Sequence, residues 1–434
     1  MFPVCLPIVS TKQYFELAVP ALLRTFPGIV SFFGPQRLQF DVMSPGGCSR
    51  HEVMVSGTDV LLHSGVPTVS LELSEQELLD TVNGRRNARD IIDNPDRITT
   101  QLNPSLDCLH LLLNPRYIQT GLLEQSAKDT GGIVVFVIDN PGLGFFATLH
   151  FCLHLMISSQ SRNKRPYFIA PHQYCESADE GSWIPRFFEQ AGFSSAEREQ
   201  VALMLARGEV RYIQRWNLYN KRDSWHQLSF AEAAKVFGRH FLLHPEIKQR
   251  LDGWVNAHFE GPVLGIHYRG TDKSTEAPRI GYEEMFVAVE ETCISRSIRT
   301  LFVATDELPF REALQRRFSN TLNVVWYSVH LSDDDMPVHK KSSISGVERG
   351  MEAMMDCLLL SQCDLVIKTA SYLSAWSKLF NPRLEIYTLN YPNDLWPQWQ
   401  PDLLIPPLLH HVQGAGIAGS DRSPSRVTRN PPCG

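Results

Sequence analysis

The chain lacks any apolar run near the ~20 residues that a membrane-spanning helix needs. The apolar run at 145–157 is far shorter, and His150 and His154 interrupt it. The opening MFPVCLPIV has neither a basic start nor a long apolar core, so no secretory leader is expected. Paired cysteines are also missing. The nine cysteines show no CxxC pair and no metal-ligand spacing, which reads as reduced thiols in a cytoplasmic protein. Nor is there a basic field: 47 acidic against 41 basic side chains leave a formal charge of -6. That balance excludes a protein whose affinity rests on neutralising nucleic-acid phosphates. No internal repeat is visible.

What is present is an ordinary globular composition over 434 residues, 43% hydrophobic and 20% charged, enough for two or three domains. Residues 1–65 carry no chemical motif, only a helix over 14–24 and strand-like pieces at 38–42 and 53–63. From Val69 the run VSLELSEQELLDTVNGRRNARDII sets Ser74 and Glu77 as a capping box, with Asn83-Gly84 closing the helix. Short helices over 87–92 and 105–113 follow. At 133–138 a continuous β-branched run reads as a strand of a parallel sheet, then a turn over 139–144 containing Gly142 and Gly144, then a helix over 145–158. Strand, glycine turn and helix present backbone N–H groups and a positive helix end to a phosphate. Any tight turn that needs φ > 0 would also use glycine.

Strands and helices alternate to about residue 390, with strands expected at 167–170, 210–214, 263–266, 300–304, 323–327, 364–368 and 384–389, and helices at 183–191, 195–206, 230–237, 245–259, 282–295, 310–318, 350–362 and 371–380. The pattern predicts an α/β protein: an α+β N-terminal region at 1–128, then two Rossmann-like domains at 129–258 and 259–407. An aromatic loop at 215–227 and a disordered tail at 408–434 complete the chain.

The stretch GPVLGIHYRGTDKSTE, 261–276, ends a buried strand in charged and hydroxyl side chains. Ligands of open α/β sheets bind beyond the carboxyl ends of the strands, so the residues to follow are His267, Arg269, Asp272, Lys273 and Glu276. Arg269 leads, because its guanidinium offers a fixed charge and a donor fork that fits phosphate oxygens. Two further strand ends, Thr305 to Glu307 and Thr369 to Tyr372, share this edge because parallel strands share a direction. Ser371 opens a helix as an anion site, an N-cap, or both. Asp356 lies on the preceding helix, where a carboxylate would accept two donors. The acidic run 333–335 reads as a solvated loop.

GIHYRGTDK, ATDE and MEAMMDCLLLSQCDLVIKTASYL, preceded by GLGFFATLH, resemble the donor-site motifs of the fucosyltransferase superfamily that includes core α1,6-fucosyltransferases and rhizobial nodulation fucosyltransferases. The resemblance covers 131–390. It implies a two-domain GT-B transferase that uses GDP-fucose, inverts the anomeric centre and needs no metal or other cofactor. It implies that Arg269 holds the β-phosphate, that Gly142, Gly144, Asp306, Ser371 and Tyr372 contribute to the donor site, and that His267 and Asp356 contact guanine. Glu276 would be the base with Lys273 beside it, Asp272 or Asp306 being the alternatives. Departures from the family pattern are Gly270 in place of a second arginine, the shorter Lys273–Glu276 spacing, and Tyr372 in place of a serine. The acceptor is left open as a glycan, peptide or small molecule. Another nucleotide sugar, or a non-catalytic nucleotide-binding protein, is the competing reading. Residues 67–123 resemble the PqqD-like winged-helix modules that sit beside enzymes acting on peptides or carrier-bound substrates; a structural appendage or a nucleic-acid-reading wing is the alternative.

Overall fold

The computed structural model describes residues 4, 6–25, 36–55, 67, 69–94, 96–100, 103–126, 132–139, 142–171, 173–177, 181–213, 228–271, 276–334, 336–338, 341, 343–393 and 401–408. The expected loop at 215–227 and the tail from 409 onward lie outside these residues, as does the 56–63 part of the strand expected at 53–63.

In the N-terminal region, strand β1 (Gln36–Ser44) alternates buried Leu38, Phe40 and Val42 with more exposed neighbours and turns back into β2 (Gly47–Val55). Strand β3 (Val69–Ser74) runs parallel to β1, and β4 (Ile98–Thr100) antiparallel to β3, giving the order β2-β1-β3-β4. The helix Glu75–Val82 starts from the expected capping box: Ser74 Oγ accepts from the Glu77 N–H at 3.2 Å, and the Glu77 carboxylate accepts from the Ser74 N–H at 2.9 Å. Each bond satisfies a donor that the helix end would otherwise orphan. The expected short helices form as Arg89–Ile92 and Asn103–Leu113, and a further helix, Pro115–Ser126, follows. Gly121 of that helix lies so close to the first helical segment that a Cβ would meet the Leu22 nitrogen at 2.8 Å. The region is α+β, and its sheet brings together strand pieces that the sequence pattern left unpaired.

Beyond it come β5 (Gly132–Ile138), β6 (Lys164–Ile169), the short β7 (Phe188–Gln190), β8 (Val210–Ile213) and β9 (Phe241–Leu243). β6, β5 and β8 form a parallel sheet in that order. The helix expected at 183–191 is shorter than predicted, spanning Ile184–Phe187, and gives way to β7, which pairs antiparallel with β9. Phe188 and Gln190 are buried while Glu189 is exposed, a period of two. The Gln190 amide also bonds both the N–H and the C=O of Phe168 at 2.8 Å, satisfying an edge of β6.

Five parallel strands make the second sheet, β10 (Val263–Tyr268), β11 (Thr300–Thr305), β12 (Asn323–Val325), β13 (Leu365–Lys368) and β14 (Glu385–Thr388), in the order β12-β11-β10-β13-β14. The central strands β10, β11 and β13 are buried along their whole length, which accounts for their near-continuous apolar sequence, while the edge strands β12 and β14 are only partly buried. The two parallel sheets share one hydrophobic core. Phe146 on the helix Phe145–Ser161 and Phe237 on the helix Phe230–His240 reach Trp376 at ring separations of 5.8 and 5.1 Å. Trp254 on the helix Pro245–His258 meets Phe302 of β11 at 5.5 Å. The α/β architecture with parallel sheets is as the sequence predicts. Among the described residues no helix is long and apolar enough to cross a membrane.

Candidate active site

The carboxyl ends of β5, β10, β11 and β13 open on one cleft of about 490 Å³. Gly142, Gly144, His267, Arg269, Glu276, Asp306, Asp356, Ser371 and Tyr372, singled out from the sequence, all line it. Asp272 and Lys273 lie outside the described residues.

Arg269 is the first residue after β10, where the strand must leave the sheet. Its N–H donates to Thr369 Oγ1 at 2.9 Å, which ties the ends of β10 and β13 together. Its Nε lies 3.1 Å from Asp306 Oδ2, an ion pair of ordinary length whose angle is poor for a hydrogen bond at that nitrogen. Thr271 Oγ1 donates to the same carboxylate oxygen at 2.7 Å. Asp306, at the end of β11, is therefore a holder of the cation as well as a neighbour to it, and its Oδ1 has no hydrogen-bond partner among the described residues.

Two helices present their N-termini to the cleft. Gly144 is the N-cap of Phe145–Ser161, with an ordinary φ of -63°. Neither Gly142 nor Gly144 has a positive φ, and a Cβ at either would meet no protein atom within 4 Å. Backbone conformation and crowding thus give no reason for glycine there, whereas the close approach of a ligand would. Ser371 is the N-cap of Tyr372–Phe380, but its hydroxyl makes no capping bond. Its N–H instead reaches Asp402 Oδ1 at 3.3 Å, and Asp402 forms a fully buried ion pair with Lys368. The simple capping role open to Ser371 from the sequence is not the one it takes. Tyr372 packs its ring against His150 at a centroid separation of 4.7 Å, the rings tilted by 30°. The bulky Tyr372 side chain therefore packs against the neighbouring helix.

Asp356 is buried, with Oδ2 accepting from Ser328 Oγ at 2.6 Å and Oδ1 without a hydrogen-bond partner. Burial, reinforced by the nearby charge of Glu352, raises its pKa to about 8 against the pull of Ser328 and Arg311. Burial thus favours the protonated carboxyl near neutral pH. Glu352 is occupied in turn by His330 Nδ1 and the Val329 N–H, both at 2.9 Å.

Arg349, Tyr174, Ser328, His330 and Glu352 also line the cleft and were missed in the sequence. The helix carrying Asp356 is Gly346–Ser361, not 350–362, because Ser345 caps it by accepting from the Glu348 N–H at 3.1 Å. Starting the helix at that Ser-x-x-Glu signal puts Arg349, Glu352 and Asp356 on one face, at spacings of three and four. Tyr174 comes from an irregular segment after β6 with no such signal. Gly270 has a steric explanation: a Cβ there would lie 1.8 Å from Glu307 Oε2. Glu307 is buried and fixed by Tyr282 Oη at 2.6 Å and by Arg279 at 3.1 Å, so its carboxylate fills the space of a side chain at 270. Asp333 and Asp334 pair with Lys341 at 3.3 and 3.2 Å in an exposed loop and do not line the cleft; Asp335 lies outside the described residues. Among the described residues no three His, Cys, Asp or Glu side chains gather in a metal-holding group.

No family model matches the chain. It is 28% identical over 178 residues to nodulation protein Z of Bradyrhizobium diazoefficiens, a match covering 38% of this chain and 47% of that protein. It is 28% identical over 166 residues to nodulation protein Z of Sinorhizobium fredii, covering 35% and 49%. The chain thus spans about half the length of these curated relatives. Among solved structures, NodZ α1,6-fucosyltransferase soaked with GDP-fucose matches with a TM-score of 0.40 at 18% identity, covering 62% of this chain and 99% of that one. POFUT1 in complex with GDP matches with a TM-score of 0.34 at 12% identity, covering 60% and 99%.

Proposed function

We propose that the cleft is the active site of a GT-B-type glycosyltransferase that takes fucose from GDP-fucose to a hydroxyl of a glycan, peptide or small-molecule acceptor. The observation that carries this reading is the convergence of Arg269, the Gly142–Gly144 turn and two helix N-termini on one cleft, a set suited to a diphosphate. The sequence likeness to nodulation protein Z, which the NodZ structure describes as an α1,6-fucosyltransferase soaked with GDP-fucose, supports the choice of sugar and base. Gly142, Gly144, Ser371 and Tyr372 contact the diphosphate, and His267 and Asp356 the guanine.

Transfer is a single in-line displacement with inversion. The acceptor oxygen forms a bond to the anomeric carbon as the bond from that carbon to the β-phosphate oxygen breaks, and the hydroxyl proton passes to Glu276. Negative charge grows on the departing GDP. Arg269 meets it at the cleft face, and the positive ends of the two helices add fixed dipoles that need no reorganisation. In this reading no metal ion takes part. The N-terminal region, through its likeness to winged-helix modules, docks a peptide or carrier-bound acceptor.

Calorimetric titration with GDP and UDP, followed by turnover of GDP-fucose, tests the reading. GDP is expected to bind at least tenfold more tightly than UDP, with slow donor hydrolysis that a chelator leaves unchanged. A preference for UDP points to another nucleotide sugar, and tight GDP binding without hydrolysis or transfer to any acceptor points to a binding protein; either result overturns the assignment.

A further inference from the structure

The helix Pro115–Ser126 turns one face to the N-terminal core, with Tyr117, Ile118 and Leu122 buried there. The opposite face carries Arg116, Thr120 and Glu124, spaced four residues apart, and every one of the three is fastened to the first parallel sheet or its helix. Glu124 pairs with Arg211 on β8 and with Arg162 at the end of the helix Phe145–Ser161. Thr120 Oγ1 accepts from the Tyr212 N–H at 2.9 Å. Arg116 forms an ion pair with Asp139 and lies over the Tyr212 ring at 5.3 Å.

Asp139 follows directly on β5, and its own N–H bonds the Ile213 carbonyl at 3.1 Å. Its side chain is almost fully buried while that of Arg116 is partly exposed, so salt screens the pairing less than a surface ion pair. Three residues later comes Gly142, which like Gly144 has no side chain to pack against the protein. Gly144 is held from downstream by the helix it opens, where the Thr148 N–H bonds its carbonyl at 3.0 Å, and Asp139 is the last described residue before Gly142. We propose that Arg116 is a positioning residue: through Asp139 it fixes the glycine turn of the cleft, which makes the N-terminal region a working part of the ligand site. An N-terminal partner or substrate that shifts the helix Pro115–Ser126 would be felt at the turn.

The ligand half of this inference rests on the nucleotide reading above, and the structural half does not. Hydrogen exchange is measured across residues 139–148 in the full-length protein, alongside GDP titration, for the wild type, Arg116→Met, Arg116→Lys and Asp139→Asn. Arg116→Met and Asp139→Asn are expected to speed exchange at 139–148 about tenfold, to leave β10 and the helix Tyr372–Phe380 unchanged, and to weaken GDP binding by a similar factor. Arg116→Lys, which keeps the charge, should restore most of both. Unchanged exchange at 139–148, or acceleration spread evenly over the protein, overturns the proposal. Wild-type protein that binds no GDP overturns the nucleotide reading alone, and the exchange pattern still decides the role of Arg116.

Discussion

Asp306 Oδ2 lies 3.1 Å from Arg269 Nε and accepts a 2.7 Å hydrogen bond from Thr271. The acid at the end of β11 aims the cation at the end of β10, and it also competes with any diphosphate for that cation. Arg269→Ala should therefore lower turnover by about 100- to 1,000-fold, the scale for losing one donor to a developing anion. Asp306→Asn keeps an acceptor beside the guanidinium and removes the competing charge. GDP should then bind at least as tightly, with turnover within about tenfold of the wild type. Steady-state kinetics and calorimetry on the two variants check this; abolished turnover in Asp306→Asn with GDP binding intact would make Asp306 the base in place of Glu276.

Glycine at 142 and 144 is required by neither φ nor packing. Gly142→Ala should leave stability unchanged or raise it by about 0.4–1 kcal/mol, through the smaller entropy of the unfolded chain, while Gly144→Ala, at the helix N-cap where alanine is disfavoured, should cost about 0.5 kcal/mol. Affinity for GDP should fall about tenfold, because a methyl group holds the phosphate oxygens off the backbone N–H groups. Chemical denaturation and titration read the two effects separately. Full GDP affinity in both variants would remove the turn from the ligand site.

Protonated Asp356 cannot accept two donors at once, so a guanine edge binds the ionised form. With a pKa raised to about 8 by burial, affinity for guanosine should strengthen by about tenfold per pH unit between 6 and 7.5 and level off above 8. Guanosine is the probe because it carries no titrating phosphate. The stability effect has the opposite sense. A raised carboxyl favours the fold fully below the unfolded value, about 3.9, and that contribution is lost as pH rises through about 8. Asp356→Asn should flatten both profiles, and a guanosine affinity independent of pH in the wild type would exclude the contact.

Much of this site was legible because parallel strands put their carboxyl ends on one edge, so His267, Arg269, Asp306 and Ser371 could be gathered without coordinates. The Ser74–Glu77 capping box was equally readable, since its bonds close within four residues. What escaped depends on contacts distant in sequence. Gln190 becomes part of a strand because β7 pairs with β9, its register partner being Phe241, about fifty residues away. Arg349 joins the site because its helix begins four residues before the expected position. Pro115–Ser126 is informative only with β8 beside it, and no local pattern announces that Thr120 will meet Tyr212.

Gly270 shows how packing can fix a glycine at the edge of a cleft. A methyl group there would stand 1.8 Å from Glu307 Oε2 and 2.8 Å from the Tyr268 ring. Glu307 is not free to swing aside, because Tyr282 and Arg279 hold its other oxygen. Gly270→Ala should accordingly cost about 1–3 kcal/mol by overpacking. Glu307→Ala alone should also destabilise, since it strands the Tyr282 hydroxyl and Arg279. The double variant should lose less than the sum of the singles, with a coupling of about 1 kcal/mol or more, because removing the carboxylate vacates the space the methyl group needs. Urea denaturation of the four proteins measures the coupling. Additive losses would mean that Glu307 and residue 270 do not share this space, and glycine at 270 would then need another cause.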